Sequence, residues 1–129
     1  GTQFSHSVAL HFQTDLLMLE KFTMAYMEQT SQLQCAKELD ENSVAIILTV
    51  SGHIFNGSQK MISYIKKSNA KVVVITNDKS FGFEPNYIIE IGDSKYKKTG
   101  KHNLLTTMEL MSLRYYSIYY PDVKDNIIE

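Results

Sequence analysis

Two short runs of β-branched residues constrain this chain more than any other feature. Val44-Ala-Ile-Ile-Leu-Thr-Val50 and Lys71-Val-Val-Val-Ile-Thr76 are nearly unbroken apolar stretches. A strand with one wet face alternates apolar and polar residues. These runs therefore predict strands covered on both faces, as in a parallel sheet flanked by helices. Between them a helix is predicted over 55–68, with Phe55, Ile62 and Ile65 facing inward and Lys60, Lys66 and Lys67 facing water. Strand, helix, strand within about 30 residues is a βαβ unit.

The rest of the chain continues the alternation. Val8, Phe12, Leu16 and Leu19 fall at helical spacing and predict a first helix over about 5–20. Phe22 to Met27 is short, aromatic and apolar, and reads as a strand. Thr30 to Leu39 reads as a short helix, broken by Asp40-Glu41-Asn42. A third strand of the sheet is expected at Tyr87-Ile-Ile-Glu-Ile91, after turn residues that include Pro85. A last helix is predicted over about Asn103 to Tyr119, where Leu104, Met108, Met111, Tyr115 and Ile118 recur at four and three residues. Leu105, Leu110 and Tyr116 widen that stripe beyond what covering one sheet face requires. The expected fold is an α/β three-layer α/β/α sandwich with a mostly parallel sheet.

With 129 residues the chain is sized for one domain, and 43% hydrophobic residues exclude a wholly disordered chain. Thirteen Lys and Arg against fourteen Asp and Glu leave a formal charge of −1, so the basic excess that drives phosphate-backbone binding is lacking. The single cysteine, Cys35, excludes an intramolecular disulfide and most cysteine-based zinc sites, and reads as an inert thiol. No apolar run approaches the roughly 20 residues of a membrane helix, and the opening residues Gly1 to His6 do not read as a secretory signal. A cytoplasmic, reducing setting is the expectation, with no membrane partner.

In open parallel sheets, ligands bind beyond the carboxyl ends of the strands. The first strong strand ends in Thr49-Val50-Ser51-Gly52-His53 and runs into a helix. Hydroxyls, a glycine that permits close backbone approach and the amides of a helix N-terminus together suit an anion; the same residues also make an ordinary strand-to-helix turn. His53 would stand at the mouth of such a site. His6 and His11 are five apart, off the i, i+4 spacing of helical zinc pairs, and no metal is expected. Lys95, Lys97, Lys98 and Lys101 are expected in a solvated loop, because helix N-termini disfavour cations.

These elements, in this order, resemble the SIS (sugar isomerase) domain. That family has a strand ending in Ser-x-Ser-Gly, then a helix, then a strand ending in Ile-Thr; here they are Val44 to Gly52 and Lys71 to Thr76. Gly1-Thr-Gln-Phe-Ser5 is similar to the family's Gly-x-Gly-x-Ser loop. The likeness spans essentially the whole chain and is closest to the sugar-phosphate-sensing half of RpiR-type transcription regulators.

The resemblance implies ligand contacts by Ser5, Thr49, Ser51 and Gly52, with His53 where the family often has Glu. The sequence departs from the pattern at Gln3, which replaces the loop's second glycine, and at Ile54, which replaces a hydroxyl residue. It also implies a helix-turn-helix DNA-binding domain upstream, and a first sheet strand ahead of the Gly1 loop. The expected function is a non-catalytic effector domain: it binds a phosphorylated sugar, needs no cofactor, reaches DNA only through the upstream domain and pairs with a second copy through the last helix. A phosphosugar isomerase and a dimerisation domain with a degenerate pocket are the alternatives.

Overall fold

A computed structural model describes residues 3–19, 21–26, 28–49, 58–77, 82–92 and 97–119. Among these the elements follow as α1 (Gln3–Met18), α2 (Gln29–Glu38), β1 (Val44–Leu48), α3 (Gln59–Ser68), β2 (Lys71–Thr76), β3 (Tyr87–Glu90) and α4 (Lys97–Tyr119). The strands form one open parallel sheet in the order β1-β2-β3, with Val44 opposite Lys71, Leu48 opposite Ile75 and Thr76 opposite Glu90. The chain is thus an α/β protein.

Both apolar runs are unbroken because alternate residues enter different cores. Ile47, Val72 and Val74 pack with Ala36 of α2 and with Met61, Ile62 and Ile65 of α3. Ile46, Leu48, Val73 and Ile75 pack instead with Val8 and Phe12 of α1 and Leu104 and Met108 of α4. Val74, Ile75, Leu104 and Met108 have no solvent exposure, which places the tightest packing around the central strand. The alternation is the ordinary period of two along a strand.

β1 differs from the expectation of a strand covered on both sides, since only Ile47 is fully buried and Val44 is exposed. The reason is its place at the edge. The Thr49 N–H donates to the Ile75 carbonyl at 3.0 Å and the Lys71 N–H to the Ser43 carbonyl at 3.1 Å. Backbone groups of a strand alternate sides, so those of Ala45 and Ile47 also face β2, and those of Val44, Ile46 and Leu48 face outward. There they meet a cavity of about 1030 Å³, walled by Ala9 and Phe12 of α1, by Cys35 and Leu39 of α2, and by residues 21–26.

That cavity explains a correction. Residues 22–26 of the expected Phe22–Met27 strand are not a strand, and Met27 lies outside the described residues. A strand exists only with a neighbour to pair with, and here the cavity lies between this segment and β1. Side chains satisfy its backbone instead: the Ala25 N–H donates to Gln13 Oε1 and Gln32 Nε2 donates to the Tyr26 carbonyl, both at 2.7 Å. Phe22 is left 87% exposed.

The last helix begins at Lys97 rather than near Asn103, so Lys97, Lys98 and Lys101 are helical and not in a loop; Lys95 lies outside the described residues. Each residue added to a formed helix gains a hydrogen bond, and lysine is a good helix former, which outweighs the weak dipole penalty. Asn103 then secures the join to the sheet: its Nδ2 donates to the Ile91 carbonyl at 2.5 Å. Gly92 follows at φ +145°, and a Cβ there would stand 3.0 Å from Asn103 Nδ2.

Candidate functional site

The carboxyl ends of the strands gather polar residues out of water. Thr49 directly follows β1, Thr76 ends β2 and Asn77 follows it, and all three are buried. The ladder extends to this rim, where the Ile91 N–H donates to the Thr76 carbonyl at 3.0 Å. Such positions cost desolvation and are kept only where partners or ligands compensate.

Asn77 stands out in this set. It is 7% exposed, yet neither its Oδ1 nor its Nδ2 has a hydrogen-bond partner. An amide buried in this way presents one acceptor and two donors to whatever fills the space beside it. Its place could have been found by inspecting the residue after the second apolar run as closely as the one after the first. In sequence it reads only as part of the turn signal Asn77-Asp78.

Of the expected ligand contacts, Ser5 and Thr49 are described, and both are buried. Ser5 lies on the face of α1 that carries Val8 and Phe12, since 5, 8 and 12 fall at helical spacing. Val8 packs in the same core as Leu48 and Ile75, and Ser5 lines the cavity together with Leu48, so the first turn of α1 approaches the carboxyl end of β1. His6, beside it, has a buried Nδ1 with no partner. Ser51, Gly52 and His53 lie outside the described residues.

A further hydroxyl marks the start of α3. Ser58 takes the N-cap position but makes no capping bond, and Gln29 Nε2 reaches its Oγ at 3.5 Å. The expected helical start near Phe55 falls outside the described residues, and the described helix begins at Gln59. Among the described residues this rim thus assembles neutral donors and acceptors, groups able to hold a hydroxylated ligand by hydrogen bonds.

The thiol of Cys35 lines the cavity wall from α2. Burial pushes its pKa up, and the nearby Glu38 carboxylate adds to the shift. Thiolate is the reactive form, so this environment disfavours nucleophilic chemistry at Cys35. Among the described residues no helix is long and apolar enough to cross a membrane. No protein-family model matches the chain, and a search of curated proteins finds no match.

Proposed function

We propose that this chain is a SIS-type domain that binds a phosphorylated sugar at the carboxyl rim of its sheet and acts as the sensing half of an RpiR-type transcription regulator. The observation that carries the reading is Asn77, whose buried amide has no partner at the position where a parallel sheet receives its ligand. Thr49, after the neighbouring strand, and Ser5 of α1 supply buried hydroxyls, and Ser51 and Gly52 follow Thr49 in the sequence as in the family pattern, with His53 next.

On this reading the whole fold is a three-layer α/β/α sandwich, and the cavity beside β1 receives one more parallel strand. Val44, Ile46 and Leu48 offer that strand their outward backbone groups. A parallel strand there ends beside Leu48, close to the first turn of α1, and so leads into that helix. DNA is reached through a helix-turn-helix domain carried elsewhere on the polypeptide, in the cytoplasm, and the domain itself performs no chemistry.

The test is thermal denaturation with a panel of sugar phosphates, the matching free sugars and inorganic phosphate. Free ligand at 100 times its dissociation constant stabilises the native state by about 2.7 kcal/mol, a shift of several degrees. Stabilisation by a sugar phosphate and not by its free sugar supports the reading, and no response to any member overturns it. NMR of the same samples separates sensing from isomerisation, because an isomerase interconverts aldose and ketose phosphates.

A further inference from the structure

The seam between α1 and α4 carries a second constellation, away from the rim. His11 and Asp15 stand one turn apart on α1, and Glu109 faces them from α4. One ligand atom from each lies within 4.8 Å of the other two. His11 Nε2 is 3.7 Å from Asp15 Oδ2 and in contact with Glu109 Oε1. Almost a hundred residues separate the two halves, so tertiary packing and not helical repetition brings them together.

Three features of this cluster point to a divalent cation. Two carboxylates brought together across a helix seam repel each other unless positive charge stands between them. The only nitrogen in the group belongs to an imidazole, which binds a metal through the same atom that now contacts Glu109. The buried Ser112 hydroxyl lies 3.1 Å from both Asp15 Oδ2 and the Met108 carbonyl and shares its one proton between them, an outer contact that braces the carboxylate.

We propose that His11, Asp15 and Glu109 bind a zinc-class divalent cation that clamps α1 to α4. One imidazole nitrogen and two carboxylate oxygens suit zinc and its neighbours in the first transition row. Magnesium and calcium favour oxygen-only shells. In a tetrahedral zinc site with bonds of about 2.1 Å, ligand atoms stand roughly 3.4 Å apart, close to the observed His11–Asp15 spacing, while His11 and Glu109, now in contact, part to admit the ion. Two carboxylates and a neutral imidazole balance the ion's charge, and the fourth position is left to water. The His11 and Glu109 side chains are 49% and 47% exposed, so the ion has an open entry and the ligands can adjust around it.

Calorimetric titration of the full chain with Zn²⁺ tests the assignment, with Mg²⁺ as comparison and Co²⁺ absorption as a reporter of coordination geometry. The expected result is one zinc per chain, no magnesium response and a rise in Tm on loading. His11→Gln and Glu109→Gln should each weaken zinc at least about tenfold, while His102→Gln, on the same helix as Glu109, should leave it unchanged. Circular dichroism reports whether each variant is folded, which the exposure of these side chains favours. Affinity weaker than about 100 μM overturns the proposal. So does zinc binding that survives both α1–α4 variants, or binding that falls with His102→Gln.

Discussion

Replacing Asn77 by leucine should make the ligand-free protein more stable while crippling its binding. The side chain is 7% exposed and both of its polar atoms lack partners, so folding strips an amide of water and returns nothing. Mutational data put that cost at about 1–3 kcal/mol. Leucine has nearly the shape of asparagine and carries no polar atoms, so Asn77→Leu should recover a similar amount. For a domain of this length that corresponds to a rise in Tm of roughly 3–15 °C. If the amide contacts a phosphorylated ligand, losing a hydrogen bond to a charged group costs about 1.5–3 kcal/mol, a fall in affinity of roughly 10- to 150-fold. Scanning calorimetry with and without sugar phosphate measures both effects on one sample. A destabilised variant would show that the amide is satisfied in the folded protein, which removes the main reason for placing a ligand there. A stabilised variant with unchanged affinity would put the ligand elsewhere.

Three further outcomes follow from the packing. Ile46 and Leu48 amides should exchange with solvent faster than those of Ile47 and Thr49, and a strand tethered ahead of Gly1 should slow them; equal rates in the untethered chain, read by NMR, would mean the edge is already paired. Cys35 should react slowly with a disulfide reagent at neutral pH and faster as pH rises, and Glu38→Gln should accelerate it at fixed pH by lowering the thiol pKa; fast reaction at pH 7 would contradict the burial argument. Leu110 and Ile118 of α4 are 61% and 55% exposed, so Leu110→Glu with Ile118→Lys should convert a self-associating chain to monomer in sedimentation without changing its circular dichroism; a wild-type monomer at tens of micromolar would refute self-association through α4.

The parts of the fold that could be read from sequence are those whose signal is complete within the element. β2 coincides with Lys71–Thr76 because a central strand needs only its own apolar run, with Val74 and Ile75 fully buried from opposite sides. α2, within a residue of its expected bounds, carries its spacing in Leu33 and Ala36. Phe22 to Tyr26 has strand composition as well, but pairing belongs to two segments, and the neighbouring position is a cavity. The last helix shows the same limit at finer scale, since its start depends on whether the turn holding Gly100 propagates, which residue types alone do not decide. Among the candidate contacts, Ser5 and Thr49 are legible as hydroxyls at motif positions, and both are buried. Asn77 was not visible, because an unpartnered amide is a property of its surroundings.

α1 links the features that matter for function. Its first turn brings Ser5 to the rim, its inward face closes the cavity beside β1, and Val8 and Phe12 pack against Leu104 and Met108 of α4. Toward its carboxyl end, His11 and Asp15 meet Glu109 and Ser112 across the same seam. α1 therefore shares a core, an imidazole–carboxylate contact and a hydroxyl–carboxylate contact with the helix whose outer face exposes Leu105, Leu110, Leu113 and Ile118. On the proposed reading, a ligand held by Ser5 acts on a helix already fastened to that outer surface. On the same reading, this rigid connection carries ligand occupancy to the contact between copies. It needs differential contacts in only one place, the first turn of α1, to bias how α4 is presented. A cation at the seam would stiffen the connection without touching either end. The sign of its effect on sugar-phosphate affinity would then show whether α1 binds ligand in its present seat on α4 or after leaving it.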